Sequence, residues 1–361
     1  MNKTDFKPFA VGTVFNPVKK DIRVSNPICT KIVLLYPSRL NAMALDPSAI
    51  AENKNLQYAP GEIIFKVKIY TKVAIEILAS QDGIEVSETS ARPSLVRHAA
   101  LLMREALGFK DGLRISAVNK TDIRHAGLGS SSGLIAAVAS AINELYGKPI
   151  NRSDLVQYLA QNHGEEIKDD STRLSPVQCI GGSAAAGQYK GGLLILAGQS
   201  RVVGSMEIQR NREVVIGIPK DFRQLDAKTL LEREILSFPK FIECGKKYRK
   251  TIAFRVLHEV LPGLKENSIS PVGDLVYEYR FKMGSIDNCS YCYENLPAIA
   301  KGISFLKEDD IVNVLALSSV GPAFFAIGGN TKQAAEVFES SGLRVINTEI
   351  ENDTYKIEKI R

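Results

Sequence analysis

Apolar and polar positions alternate most regularly in Ile63–Tyr70, where Ile63, Phe65, Val67 and Ile69 fall on one side. That two-residue period predicts a half-buried strand. Lys31–Tyr36, Val73–Leu78 and Leu113–Val118 read as further strands. Ser94–Leu107 switches to a helical period, with Leu95, His98, Leu102 and Ala106 along one face. A second helix follows from the spacing of Leu134, Ile135, Val138, Ala139, Ile142 and Leu145, and a third spans Arg152–His163. Leu193–Leu196 and Val214–Ile218 are strand-like, and Pro219 marks a stop. Beyond about Phe222 the pattern stays mixed. Leu225–Leu236 and Tyr248–Val260 are helical, Leu315–Ser318 and Ala323–Ile327 are strands about a turn, Lys332–Ser341 is a helix and Arg344–Glu349 a last strand. Strands mixed with helices in both halves predict an α+β architecture with a cleft between two units.

The junction between strand Leu113–Val118 and the helix after it reads Gly127-Leu-Gly-Ser-Ser-Ser-Gly133. Glycines let backbone approach a ligand closely. The first N–H groups of a helix lack intrahelical acceptors, and the helix dipole favours negative charge there. The hydroxyls of Ser130, Ser131 and Ser132 add donors or a metal ligand. The loop therefore predicts a phosphate or diphosphate site, although Gly and Ser also serve as plain helix caps. No Gly-Lys-Ser/Thr closes it as in a Walker loop, and the Rossmann spacing is absent.

The chain has 361 residues, 45% apolar and 24% charged, with a formal net charge of +6. That is ordinary for a folded enzyme. Its basic residues are scattered, and no basic stripe interleaved with aromatics points to nucleic acid. No apolar run approaches the ~20 residues of a membrane span, and Met1-Asn-Lys-Thr-Asp-Phe6 lacks a signal-peptide core. Five cysteines, an odd count, fit reduced thiols and a cytoplasmic setting. Cys289 and Cys292 have CxxC spacing without a second pair, so buried thiols are favoured over half a zinc site or a redox pair.

The Gly127–Ser132 loop with its helix resembles the phosphate loop of the GHMP superfamily, the galactokinase, homoserine kinase and mevalonate kinase group. Pro37-Ser-Arg-Leu-Asn41 resembles the superfamily's first motif, and Ser318-Ser-Val-Gly-Pro-Ala-Phe-Phe-Ala-Ile-Gly-Gly329 its third. Within it, Pro37–Asp46 and Cys179–Gly192 are similar to segments of the β-ribofuranosylaminobenzene 5′-phosphate synthases, as are Glu232–Phe238 and Val260–Leu264. Asn41 stands where those synthases have His, the loop reads closer to the kinases, and the aromatic of their Ala-Ala-Phe is missing at Ala186-Gly187. The resemblance implies a ribosomal-S5-like α/β domain over residues 1–220 and a ferredoxin-like α+β domain over 221–361. It also implies a homodimer.

The implied reaction joins phosphoribosyl diphosphate to a small aromatic or heteroaromatic acid, with loss of carbon dioxide and diphosphate. An ATP-dependent kinase acting on a hydroxyl compound is the alternative, and a non-catalytic phosphate-ligand regulator a third. In either enzyme Mg²⁺ would assist. Asp46 is the expected catalytic carboxylate, its other reading being a turn Asp before Pro47. Arg39 would clamp a phosphate or carboxylate beside Asn41. Expected phosphate contacts are Gly127, Gly129, Ser130, Ser131, Ser132, His125, Arg173, Gly181, Gly182, Ser318, Ser319 and Gly321. Ser131, Glu166 and Asp170 are the expected metal ligands. Thr172–Gly182 lacks the Asp base that many superfamily kinases carry there. Tyr277, Tyr279, Phe281, Tyr291 and Tyr293 could stack a planar acceptor, although core packing is commoner.

Overall fold

The computed structural model describes residues 7–18, 22–24, 26–52, 60–78, 82–119, 126–177, 179–223 and 225–360. In chain order the first part comprises β1 (Phe9–Ala10), β2 (Lys31–Ala44), α1 (Pro47–Glu52), β3 (Glu62–Leu78), β4 (Ile84–Val86), α2 (Pro93–Leu107), β5 (Gly112–Asn119), α3 (Ser130–Leu145), α4 (Arg152–Gln161), β6 (Gly164–Ile167), β7 (Asp170–Pro176), α5 (Gly182–Gln188), β8 (Leu193–Ala197) and β9 (Arg201–Met206). The second comprises β10 (Glu213–Pro219), α6 (Ala227–Arg255), α7 (Leu261–Lys265), α8 (Ser270–Tyr277), α9 (Ser285–Cys289), α10 (Leu296–Ile303), α11 (Phe305–Glu308), β11 (Val314–Leu317), β12 (Phe324–Ile327), α12 (Thr331–Ser340), β13 (Leu343–Glu349) and β14 (Lys356–Ile360).

The larger sheet runs β14-β2-β3-β5-β4, and β8 with β9 extends it beside the start of β3. Strand β3 is one continuous element where two short strands were expected. From Val67 to Glu76 its residues alternate in burial, but Glu62–Val67 is buried on both faces. The cause lies in the layers. Ile64 faces the helices α2 to α5, packing with Ile32, Leu95, Ile135 and Ile142. Ile63, Phe65 and Val67 face the second sheet, packing with Val214, Ile216 and Phe325. The Phe65 and Phe325 rings meet at 6.1 Å.

The second sheet has the order β11-β12-β10-β13, all antiparallel. With the helices between β10 and β11 and between β12 and β13, this is the βαββαβ arrangement of a ferredoxin-like domain. Its far face is covered by Phe241, Ile303 and Phe338 against Val215, Leu315 and Phe324. Both halves are therefore α+β. A boundary at residue 220 does not follow the sheets, however. β10 precedes it and lies inside the second sheet, while β14 returns to pair with β2.

The helix α6 is likewise one element where two were expected. It passes through Pro239 and continues into a wider π-helical turn over Val256–Val260. Asp226 caps its start by accepting from Thr229 N–H. The third, small sheet β1-β7-β6 carries Glu165 and Glu166 on β6 and Asp170 at the start of β7.

Candidate functional site

The register of β2 against β3 shifts at Pro37/Ser38 and again at Asn41/Met43. Such bulges re-aim side chains, and Pro37 is a reason for the first because it cannot donate to the ladder. Arg39 and Asn41 lie between the two shifts and line a cleft between the sheets. Gly127, Gly129, Ser130, Ser131 and Ser132 form a second wall, Gly181, Gly182 and Ser183 a third, and Ser319, Val320 and Gly321 of the β11–β12 turn close the side toward the second sheet. Glu62, His163, Glu165 and Cys179 complete the lining, and the cleft has about 190 Å³ open to water-sized occupants.

Gly129 takes a left-handed conformation (φ 68°) and so starts α3 abruptly, and Gly181 (φ 112°) does the same for α5. Both positions need glycine's freedom. From Leu134 to Leu145 every residue of α3 is buried, which fixes its first turn against the cleft. Gly127 is the seam between the halves. Its carbonyl accepts from Arg39 Nη1 at 2.9 Å and from the Ser318 hydroxyl at 2.7 Å. Ser318 Oγ in turn accepts from Asn41 N–H at 3.0 Å, and Ser319 N–H donates to Asn41 O at 2.9 Å.

A buried polar network continues from there. Glu62, 2% exposed, accepts from Gly182 N–H at 2.6 Å and from Asn41 Nδ2. Burial pushes its carboxyl upward, against the opposing pull of Arg39 and of those two donors. Arg280, 3% exposed, donates to Ala42 O at 2.6 Å and to Asn41 O at 3.1 Å and Oδ1 at 3.3 Å. Asn41 thus bridges a buried guanidinium and a buried carboxylate. Behind it lies a second cavity of about 110 Å³, which shares Asn41, Ile180, Ser319 and Val320 with the cleft and reaches Glu234, Tyr279 and Arg280. Burial raises the Glu234 carboxyl to about 6. The Cys179 thiol is pushed up to about 12, first by burial and then by Glu62, so it is no nucleophile at neutral pH.

Two polar atoms at the cleft are buried without a hydrogen-bond partner among the described residues, Arg39 Nε and His163 Nδ1. Arg39 Nε lies against Gly129, at the start of α3. Buried polar atoms are ordinarily satisfied, so these two are candidate ligand contacts. An anion there would meet a guanidinium and the free N–H groups of a helix end together.

Arg39, Asn41, Gly127, Gly129, Ser130, Ser131, Ser132, Gly181, Gly182, Ser319 and Gly321 are brought together as expected from sequence. Others are not. Asp46 lies outside the cleft lining and caps the start of α1, accepting from Ser48 N–H at 3.0 Å and Ser48 Oγ at 2.6 Å. This is the turn role that Pro47 favours. Arg173 lies in the exposed first half of β7 and donates to Pro8 O at 2.6 Å. Ser318 is fully buried and latches Gly127 and Asn41 together, so it has no free face for a phosphate. Asp170, the first residue of β7, is spent on side-chain bonds to Thr172 N–H and hydroxyl. Glu166 is paired with Arg92 at 2.7 Å, and Ser131 Oγ also accepts from Arg92. Ser131, Glu166 and Asp170 therefore do not assemble as Mg²⁺ ligands. No group of three or more His, Cys, Asp or Glu suited to a metal ion occurs among the described residues. His125 lies outside the described residues.

Sequence reading missed Glu62, His163, Arg92 and Arg280. Glu62 carried one signal, a carboxylate opening the apolar strand Glu62-Ile-Ile-Phe65, which is costly unless partnered. Of the aromatic residues proposed for stacking, Tyr277 is core, Phe281, Tyr291 and Tyr293 are half-buried against it, and Tyr279 lines the second cavity. Cys289 and Cys292 are buried free thiols. No helix among the described residues is long and apolar enough to cross a membrane.

This architecture is the GHMP-kinase-like fold. Residues 94–172, which carry α2, β5, the Gly127–Ser132 loop, α3, α4 and β6, match the family described as GHMP kinases N terminal domain. A homoserine kinase of Thermoplasma volcanium is 35% identical over 95 residues, which span 26% of this chain and 29% of that protein. The similarity to this curated relative thus covers less than a third of its length. Among solved structures, a homoserine kinase from Cytophaga hutchinsonii superposes with a TM-score of 0.59 at 14% identity, over 96% of this chain and 100% of that one. Mevalonate diphosphate decarboxylase from Staphylococcus aureus gives 0.62 at 13% identity, over 92% and 99%. These two likenesses extend across both halves of the chain.

Proposed function

We propose that this protein is an ATP-dependent phosphotransferase acting on a small hydroxyl compound. The observation that carries the reading is the unpartnered Arg39 Nε beside Gly129 at the start of α3, a cation and a helix end converging on one point. The matched kinases support phosphoryl transfer as the chemistry. The phosphoribosyl transfer expected from Pro37–Asp46 draws no support from them, and its carboxylate, Asp46, is occupied outside the cleft.

In the proposed reaction the nucleotide's phosphates lie on the loop Gly127–Ser132, with Arg39 against the transferred group. The acceptor extends into the second cavity toward Glu234 and Arg280. Glu62 takes the proton of the acceptor hydroxyl as its oxygen bonds to the γ-phosphorus, the bridging P–O bond breaks and ADP leaves. A carboxyl raised by burial is better matched to proton exchange near neutrality than a solvated one. It supplies the base missing from Thr172–Gly182. Positioning and electrostatic stabilisation carry the rest.

The test is transfer of ³²P from γ-labelled ATP to a panel of small hydroxyl acids and polyols. Label in a stable phosphate ester supports the reading. Release of carbon dioxide from an aromatic acid with phosphoribosyl diphosphate, with ATP untouched, would replace it with the transferase.

A further inference from the structure

Ser131, Glu165 and Glu166 offer the hydroxyl and carboxylate oxygens that a hard divalent cation prefers. In this chain each of those side chains is engaged by a different nitrogen of one guanidinium. Arg92 Nε donates to Glu166 Oε2 at 2.7 Å, Nη2 to Glu165 Oε2 at 2.6 Å, and Nη1 to Ser131 Oγ. We infer that Arg92 is the resident cation of the phosphate loop, standing where these residues would otherwise hold a divalent metal ion.

Three features argue that the arrangement is built in. The Arg92 side chain is only 4% exposed, and that of Glu165 11%. Arg92 sits at the N-cap of α2 in the left-handed region (φ 50°), a conformation that costs a non-glycine residue energy unless its surroundings hold it. Its carbonyl accepts from Leu95 N–H at 3.1 Å and Val96 N–H at 3.3 Å, Pro93 follows directly, and Ala91 N–H before it donates to Ala117 O at 2.7 Å, so the backbone is pinned on both sides. An arginine is charged at every relevant pH, and its planar fork suits several oxygens at once. A metal ion entering here would have to displace a buried cation from two carboxylates, leaving that cation unpaired.

Arg92 does not line the cleft. It acts through Ser131, whose other side does, so it is a positioning residue. It also neutralises Glu165, which lines the cleft. Glu165 lies 3.6 Å from His163 Nε2, and the unpartnered His163 Nδ1 is left for the ligand. The inference concerns the ions that the protein itself holds and does not depend on which phosphate compound reacts.

The experiment is Mn²⁺ titration of the ligand-free full chain, followed by the loss of free-ion electron paramagnetic resonance signal. The wild type is expected to hold no Mn²⁺ through Glu165, so Glu165→Gln leaves its titration unchanged. Arg92→Ala exposes three oxygen donors and is expected to tighten Mn²⁺ binding by roughly 10–100-fold, an order typical of changes around metal ligands. The double variant Arg92→Ala/Glu165→Gln loses that gain. A purely structural arginine would not create a metal site when removed. Stoichiometric Mn²⁺ binding by the wild type that Glu165→Gln abolishes overturns the inference, as does a folded Arg92→Ala that gains no site. If Arg92→Ala does not fold, the comparison of wild type with Glu165→Gln decides alone.

Discussion

Gly127 is the position where one added methyl group tests the most of the site. Its φ is +88°, and a Cβ there would fall inside contact distance of the Ser318 carbonyl oxygen. Gly127→Ala therefore meets two costs. Holding a non-glycine residue in the left-handed region costs about 1–2 kcal/mol. Relieving the clash parts the loop from the β11–β12 turn, weakening the bonds from Arg39 and Ser318 to the Gly127 carbonyl, each worth about 0.5–1.5 kcal/mol and more for the charged donor. The expected destabilisation is about 2–5 kcal/mol, read by urea unfolding. Misplacing the loop by even a fraction of that energy weakens ATP binding by about tenfold or more, read by calorimetry. Gly133→Ala, six residues on, is the control. It lies within α3 at an ordinary φ, and a Cβ there meets nothing within 4 Å among the described residues. It should stabilise the chain by about 0.5–1 kcal/mol and leave ATP affinity unchanged. Wild-type stability and affinity in Gly127→Ala, or equal damage in Gly133→Ala, would refute the reasoning.

Glu62→Gln removes the proposed proton acceptor while retaining its bulk. Steady-state kinetics should show kcat reduced by about 10²–10⁴ with ATP affinity retained, and an unchanged kcat would remove Glu62 from the chemistry. Cys179→Ala should leave turnover intact at pH 7, since the thiol is held at about 12, and inactivation would mean the thiol participates. Lys66 is fully buried, and its ammonium donates to Tyr189 O at 2.7 Å and Asp353 O at 2.8 Å. Desolvation lowers it to about 7 from 10.5, against the opposing pull of Glu351 and Asp353. Between those values the unfolded chain binds the proton and the folded one does not, so stability should rise with pH across that window, by up to about 1.4 kcal/mol per unit from this group. Lys66→Met should lose that slope in unfolding titrations, and parallel curves for the two proteins would contradict the assignment.

Much of the fold was legible because its periodicities are local. The Gly127–Ser132 loop was legible as a cleft wall through Gly127, Gly129 and the serines, whose conformational and donor properties are intrinsic to the residue types. The strand β3 was harder. Glu62–Val67 is buried on both faces by two different cores, so the break seen in its alternation reflects tertiary packing rather than a turn. Pro239 stayed inside α6 for a similar reason, the helix being anchored by its own Phe241 in the core of the second half. At the site, the carboxylates chosen from sequence were those nearest recognisable motifs. The structure places Glu62 and Glu165 in the cleft lining, engaged by Gly182, Asn41 and Arg92, residues distant in the chain. Asp170 and Asp46 satisfied neighbours two residues away, a local use that spacing alone does not separate from catalysis.

The most direct measurement of the central claim is calorimetric titration of the full chain with ATP and, separately, with phosphoribosyl diphosphate, each repeated on Arg39→Met. The account predicts saturable ATP binding by the wild type, weakened in Arg39→Met, and little heat from the sugar diphosphate. Tight binding of phosphoribosyl diphosphate with no ATP binding would contradict it.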